Sequence, residues 1–462
     1  MHGFQFNYMF QEIPVNSTHG SENTSGKGGV MKRKSSMGGV AIAALLYFSS
    51  VAYATNGYQL IGIGSYQKSL AGAVTALPGS NMTAVTNPAG MLHIGHRADF
   101  SMEAFMPDRS TDFTAFGGKK AESSSEIYGI PAIGWNGPVG SRDDMVFGGG
   151  MYGTSGMGVD YSSTLMQAPM PGVSPAVYWD GYSSIAFWQM APALAWQAAE
   201  KLSLGASVNI DFQQVAFQQR MMADSNDDGQ GDTITNNFNL SRGASAFGFG
   251  LSLGILYDFN EMVSFGASYK SKQFFTDLEY QLAYGDIDMS AFGGGPLPAG
   301  TYKLDLDFPQ QAAVGIAVHA TEVFTVAADV KWINWCDTMD KLAVAGPGGL
   351  LVPMDPGWND QFVFAVGLTY KASERLNLRA GFNYGESPID ENSAANNMIL
   401  PAVVETHYTV GADYSLDDHW DIGFHYMYVP ENTVTAAPET NAPGVKITLS
   451  EQSFGVNLGY KF

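Results

Sequence analysis

Phe462, Tyr460, Leu458, Val456 and Phe454 follow one another in steps of two, with Lys461, Gly459, Asn457, Gly455 and Ser453 between them. Successive side chains of a strand point to opposite faces, so this spacing predicts one apolar, aromatic face and one small or polar face. The period recurs upstream. Leu204, Ala206, Val208 and Ile210 form one row, and Phe247, Phe249, Leu251, Leu253, Ile255, Tyr257 and Phe259 form another. Phe362, Phe364, Val366, Leu368 and Tyr370 make a third, and Trp420, Ile422, Phe424, Tyr426 and Tyr428 a fourth. The opposite faces carry Gly, Ser, Thr, Asn, Asp, Arg379 and His425, residues that suit a polar interior.

Read this way, the chain predicts strands near 97–107, 126–139, 144–153, 183–198, 202–217, 244–258, 262–280, 301–319, 322–335, 358–372, 375–386, 404–415, 419–429 and 449–462. Short turns alternate with long loops, the latter near 108–125, 154–182, 218–243, 281–300, 336–357, 387–403 and 430–448. Connections sorted by parity are what an up-and-down barrel produces when one end faces the periplasm and the other the outside. A Greek-key sandwich does not sort its loops that way. The expected fold is all-β: a transmembrane antiparallel up-and-down β-barrel of about 14 strands over residues 97–462. Tyr370, Trp420 and Tyr460 near strand ends are expected in the interfacial girdles.

Export fits this picture. Lys32-Arg33-Lys34, the apolar run from Val40 to Phe48 and Ala52-Tyr53-Ala54 read as a signal peptide over 31–54. Residues 1–30 read as an over-extended start or a disordered tail. The run is too short to span a bilayer as a helix, and no apolar stretch of about 18 residues follows it. The formal charge is −21, which argues against nucleic acid as a partner. A single cysteine, Cys336, rules out an intrachain disulfide, as suits a barrel held by its closed ladder.

Residues 55–96 do not read as a barrel strand. The stretch from Thr55 to Ala73 is rich in small residues and continues through Pro78-Gly79 to Asn87-Pro88-Ala89-Gly90. It is too short for an independent domain and too apolar for a disordered tail, so a plug packed inside the lumen is expected. With Gly57-Tyr58-Gln59-Leu60, Asn87-Pro88-Ala89, Trp332-Ile-Asn-Trp335, Gly385-Glu-Ser-Pro388 and the stretch from His407 to Tyr414, the mature chain resembles the FadL-type family. These are outer-membrane transporters of long-chain fatty acids and other hydrophobic compounds. The resemblance implies a barrel occluded by an N-terminal hatch at 55–96, with Asn87, Pro88 and Ala89 as the hatch motif. It also implies capture of substrate by extracellular loops, a pocket near the hatch, and sideways exit at a kink in the third strand. Phe147-Gly148-Gly149-Gly150 stands there, and glycines within a strand mark bulges and bends.

A fatty acid needs a long apolar slot and a cation for its carboxylate. The resemblance puts Tyr58 at the deep pocket, and Arg220 and Lys341 nearest the family's carboxylate-binding bases, after the fifth and ninth strands. If those cations play no such part, a neutral alkane or aromatic hydrocarbon becomes the expected cargo. Met157, Met166, Met170, Trp179, Phe187 and Trp188 in the second long loop give a deformable apolar surface suited to capture or to packing at the barrel mouth. Asp224, Asn226 and Asp228 carry calcium-loop spacing, but Thr235 stands where a bidentate glutamate is needed, so a solvated acidic turn is the expectation.

No metal, nucleotide or nucleophile signature emerges, so neither a cofactor nor catalysis is expected. Three functions remain: passive uptake of hydrophobic small molecules, a phospholipase-like envelope enzyme, and a non-transporting adhesin or structural barrel. The first is the leading expectation, for a monomer in the lipid of a Gram-negative outer membrane.

Overall fold

The computed structural model describes residues 56–162, 166–167, 177–226, 228, 231–290 and 293–462, the side chains of 166 and 167 excepted. The expected tail, the signal peptide, and the side chains of Met166 and Met170 lie outside the described residues.

Fourteen strands close on themselves. They are β1 (Arg97–Asp112), β2 (Tyr128–Val139), β3 (Arg142–Asp160), β4 (Val177–Met190, resuming as Ala193–Ala199), β5 (Leu202–Ala223), β6 (Ala244–Asn260) and β7 (Val263–Lys270). The circuit continues with β8 (Gln311–His319), β9 (Phe324–Ile333), β10 (Gln361–Lys371), β11 (Leu376–Gly385), β12 (Thr406–Ser415), β13 (Trp420–Thr435) and β14 (Lys446–Lys461). Every neighbouring pair is antiparallel, and β14 returns to β1 in a sixteen-pair ladder from Arg97–Lys461 to Asp112–Lys446. Closure leaves no unpaired edge, the condition for sheet in a membrane.

The alternation seen along the chain becomes inside and outside. Phe247, Phe249, Leu251, Leu253 and Ile255 of β6 are exposed, as are Phe362, Phe364 and Val366 of β10. Polar side chains of the opposite faces, among them Ser252 of β6, Asn383 of β11, His407 of β12 and His425 of β13, are buried. An apolar belt outside and a polar interior are the arrangement of a barrel solvated by lipid.

Two expectations need correction. The strands predicted at 262–280 and 301–319 stop being barrel wall at Lys270 and start again at Gln311. The segments between, Leu278–Leu282 and Gly300–Leu304, pair with each other and join Leu342–Ala345 and Leu351–Met354 in a separate four-stranded sheet. That sheet buries Leu278, Tyr280, Tyr302, Leu304, Val344 and Val352. The stretch read as a loop from Met157 to Trp188 is largely strand: Met157 belongs to β3, while Trp179, Phe187 and Trp188 belong to β4.

Residues 56–96 lie in the lumen. Helix α1 (Gly64–Ser69) packs on β1, β12, β13 and β14, and the 3-10 turn Pro88–His93 packs on β5 and β6. The segment is tied at several points. Asp329 of β9 accepts from the Val74 and Thr75 amides at 2.9 and 2.8 Å, and Asn383 donates to the Ala71 carbonyl. Lys68 meets Glu103 of β1 at 3.1 Å, with both side chains buried.

Candidate functional site

The first turn of the lumenal segment sets the site. Gly57 takes a left-handed φ of 69°, and a Cβ there would strike the Trp335 indole, so glycine lets the chain lie flat on that ring. The backbone then bonds to β3, with Leu60 donating to the Thr154 carbonyl at 3.1 Å and Gly156 to the Tyr58 carbonyl at 2.9 Å. Tyr58 is thereby held against three rings. Its centroid lies 4.6 Å from Trp335, 5.7 Å from Phe308 and 5.8 Å from Trp358. Phe187 of β4 stacks on Phe308 at 4.5 Å, and Phe275 meets Phe187 edge-on at 5.6 Å.

These six rings come from the lumenal segment, from β4 and from the connections around β7 to β10, so only the closed barrel assembles them. Five are fully buried and form a dry aromatic wall. Burial, with a smaller contribution from Asp307, raises the Tyr58 phenol well above its ordinary value, so it stays neutral. The Trp358 ring nitrogen donates to Asn397 at 2.8 Å. The Trp335 ring nitrogen is buried with no hydrogen-bond partner. Aromatic walls with few polar groups are what apolar ligand sites are built from.

Beside Gln59 and Leu60 lies a small cleft that opens to solvent. Its lining includes residues 59–63 of the lumenal segment, Thr154 of β3, Lys270 of β7, Gln311 of β8 and Lys331 of β9. Neither lysine was singled out from the sequence, although both stand on the polar face of a predicted strand. That face was the available signal.

The sequence-selected cations sit elsewhere. Arg220 lies within β5, which runs on to Ala223, rather than after it. It is locked to Asp180 of β4, whose carboxylate is buried. Lys341 is exposed in the segment after the short helix Cys336–Met339. Nothing brings Arg220 and Lys341 to one another or to Tyr58. Asp224 is buried while Asn226 and Asp228 are exposed, and the Asp228 amide donates to the side chains of Asp224 and Asn226. Among the described residues no cluster of three or more histidine, cysteine or acidic side chains is arranged to hold a metal.

Asn87, Pro88 and Ala89 form a rigid corner. The Asn87 side-chain oxygen accepts from the Ala89 amide, and its side-chain nitrogen donates to the Thr75 and Ile255 carbonyls at 2.7 and 3.0 Å. Gly205 of β5 and Gly254 of β6 leave room for this corner, since a Cβ at either would collide with it.

Gly148, Gly149 and Gly150 lie mid-strand in β3, and their ladder to β2 runs through without a break. The irregularities are beside them. β4 is interrupted at Ala191–Pro192, opposite Gly149 and Gly150, and a register shift at Thr154 bulges β3. Gly149 has a φ of 125° and faces the Ala191 carbonyl where a Cβ would not fit. Ile63, Met82 and Val85 of the lumenal segment pack over the interruption with Ala132, Tyr152 and Ala191.

Comparison with known proteins agrees with this architecture. The family described as outer membrane protein transport protein (OMPP1/FadL/TodX) matches residues 46–462. Outer membrane protein P1 of Haemophilus influenzae is 22% identical over 403 residues, 80% of this chain and 83% of that one. A long-chain fatty acid transport protein of Escherichia coli is 23% identical over 225 residues, 47% of this chain and 50% of its own. A 47 kDa outer membrane protein of Pasteurella multocida is 25% identical over 232 residues, 47% of this chain and 51% of its own. The chain thus spans about half the length of these last two relatives. Among solved structures, the toluene transporter TodX of Pseudomonas putida superposes with a TM-score of 0.67 at 22% identity, covering 88% of this chain and 100% of that one. A FadL homologue of Pseudomonas aeruginosa gives 0.66 at 17% identity, with 88% and 100% covered. The match over nearly the whole barrel and its lumenal segment places the chain in the OMPP1/FadL/TodX family of outer membrane transport proteins.

Proposed function

We propose that this protein takes up hydrophobic small molecules, long-chain fatty acids foremost, passively across the outer membrane. The observation that carries the reading is the six-ring cage around Tyr58, set where the lumenal segment meets the wall. Substrate enters from the outer loops, reaches the cage, and leaves sideways where β4 is interrupted at Ala191–Pro192 beside Gly149. In this reading residues 55–96 act as the hatch, blocking an aqueous path and leaving the lipid-side route. The barrel acts as a monomer with outer-membrane lipid on its apolar belt.

A neutral hydrocarbon is the second reading. It is favoured by Arg220, whose charge is already committed to Asp180, and by the exposed position of Lys341. Uptake of labelled oleate and of labelled toluene by cells lacking their own transporter separates the two. Oleate uptake above the empty vector supports the first, and toluene uptake alone supports the second. If neither compound enters, the transport reading fails.

A further inference from the structure

The cleft beside the cage has an uneven charge. Its lining carries Lys270 and Lys331 and, among the described residues, no aspartate or glutamate. Both lysines belong to the inward-facing sets of their strands. Cross-strand register puts Lys270 opposite Gln311, and Lys331 opposite Ala313, which in turn faces Ser268. Two strand spacings of about 4.8 Å therefore separate the two lysines across the wall, within reach of two flexible four-carbon stems.

Each ammonium has a buried aspartate nearby, but neither is ion-paired with it. Lys270 donates to the neutral Gln189 amide at 2.9 Å. Lys331 has no hydrogen bond or ion pair among the described residues. Asp329, two residues away, spends one oxygen on the Val74 and Thr75 amides that hold the hatch, and attracts Lys331 while its other oxygen has no partner. Asp211 of β5 attracts Lys270 without forming an ion pair, and the two lysines repel each other. The Gln311 side-chain nitrogen is a further buried donor with no partner. Two enclosed cations and a spare donor around open space leave a place for one anion.

We infer that the cleft is a carboxylate site, in which Lys331, Lys270 and the Gln311 amide hold the head group of an amphipathic monoacid. Gln59 and Leu60 line the cleft and follow Tyr58 of the cage in the chain, so the alkyl tail is assigned the direction of the cage. Thr154, at the bulge of β3, also lines the cleft, so the head lies beside the wall irregularity. The inference rests on the fatty-acid reading above and names different cations for it.

The test is equilibrium binding of labelled laurate and of labelled 1-dodecanol to purified protein in liposomes. Wild type is compared with Lys331→Met, Lys270→Met and Lys331→Arg, each checked for the heat-sensitive gel migration of a folded barrel. Each methionine variant is expected to weaken laurate about tenfold to a hundredfold, the loss of one charge-assisted hydrogen bond, and to leave dodecanol unchanged. Lys331→Arg is expected to retain laurate. Laurate affinity indifferent to both methionine variants overturns the site, and so does a parallel loss of laurate and dodecanol, which marks a packing role. Either result leaves uptake by wild type standing. Wild type that binds neither compound defeats the transport reading itself.

Discussion

Lys68 is the only lysine or arginine between residues 56 and 96, and replacing it by methionine tests how the hatch is held. Its ammonium lies 3.1 Å from Glu103, and both side chains are buried. Glu451 of β14 sits alongside, 1% exposed, with neither carboxylate oxygen hydrogen-bonded. His425 of β13 bonds Ser65 of α1 at 3.2 Å and lies 3.9 Å from Glu103. Removing the cation leaves two buried carboxylates facing each other. Breaking a buried pair by losing one partner costs about 3–5 kcal/mol, because the other charge stays desolvated. At about 1.4 kcal/mol per decade, even 3 kcal/mol favours any opening of α1 more than about a hundredfold. Hydrogen exchange of the Leu70, Ala71 and Gly72 amides, which close the end of α1, reads this directly. Lys68→Met is expected to speed their exchange about a hundredfold, and adding Glu103→Gln is expected to recover part of the protection. Exchange that does not change in Lys68→Met would refute the claim that this pair anchors the hatch.

Four further outcomes follow from the same geometry. Asp329→Ala removes the acceptor of two hatch amides and should cost about 1–3 kcal/mol locally, read as faster exchange at Val74 and Thr75. Gly254→Val puts a side chain into the Asn87–Pro88 corner, so the folded-barrel gel band should weaken or hatch exchange should rise, with Leu253→Ile on the exposed face as the control. Trp335→Ala opens the cage and should destabilise it by about 3–5 kcal/mol, measured as faster exchange around Tyr58. Burial holds His93 below the ordinary histidine pKa of 6.5, against the upward pull of Asp258. A lowered value in the folded state means stability present above pH 6.5 and lost as pH falls through the folded pKa. Protection factors over residues 89–93, corrected for the intrinsic exchange rate at each pH, should therefore fall between pH 7.5 and 5.5 in wild type, and a His93→Gln variant should lose that pH dependence.

The barrel was legible because lipid outside and polar groups inside impose the same two-residue period on every strand. That period does not say which sheet a strand joins. Leu278, Tyr280 and Leu282 alternate as regularly as the wall does, yet they bury their apolar face in the outer sheet. The cations were harder to read. Arg220 and Asp180 are 40 residues apart in the chain, and only cross-strand register makes them a pair. Lys270 and Lys331 carry no local motif, and their shared cleft exists only once β7, β8 and β9 stand side by side. The glycine run was visible at 148–150, whereas the break beside it depends on Ala191–Pro192 of the next strand. Tyr58 and the Asn87–Pro88–Ala89 corner were legible through resemblance, and the cage partners of Tyr58 were not, since they come from β4, the β7–β8 connection and the β9–β10 connection.

The central claim is that hydrophobic molecules cross the membrane through this barrel and leave by its wall. The most direct test is uptake of labelled oleate and toluene by transporter-deficient cells carrying wild type or a chain with Met151 and Met190, which face each other at the edge of the interruption, both changed to cysteine. These two positions are cross-strand partners, so a disulfide between them staples β3 to β4 at the gap. Uptake of at least one compound by wild type, lost on oxidation of the paired variant and restored by a reductant, is the predicted result. Uptake indifferent to the crosslink would contradict the lateral route, and no uptake of either compound by wild type would contradict transport.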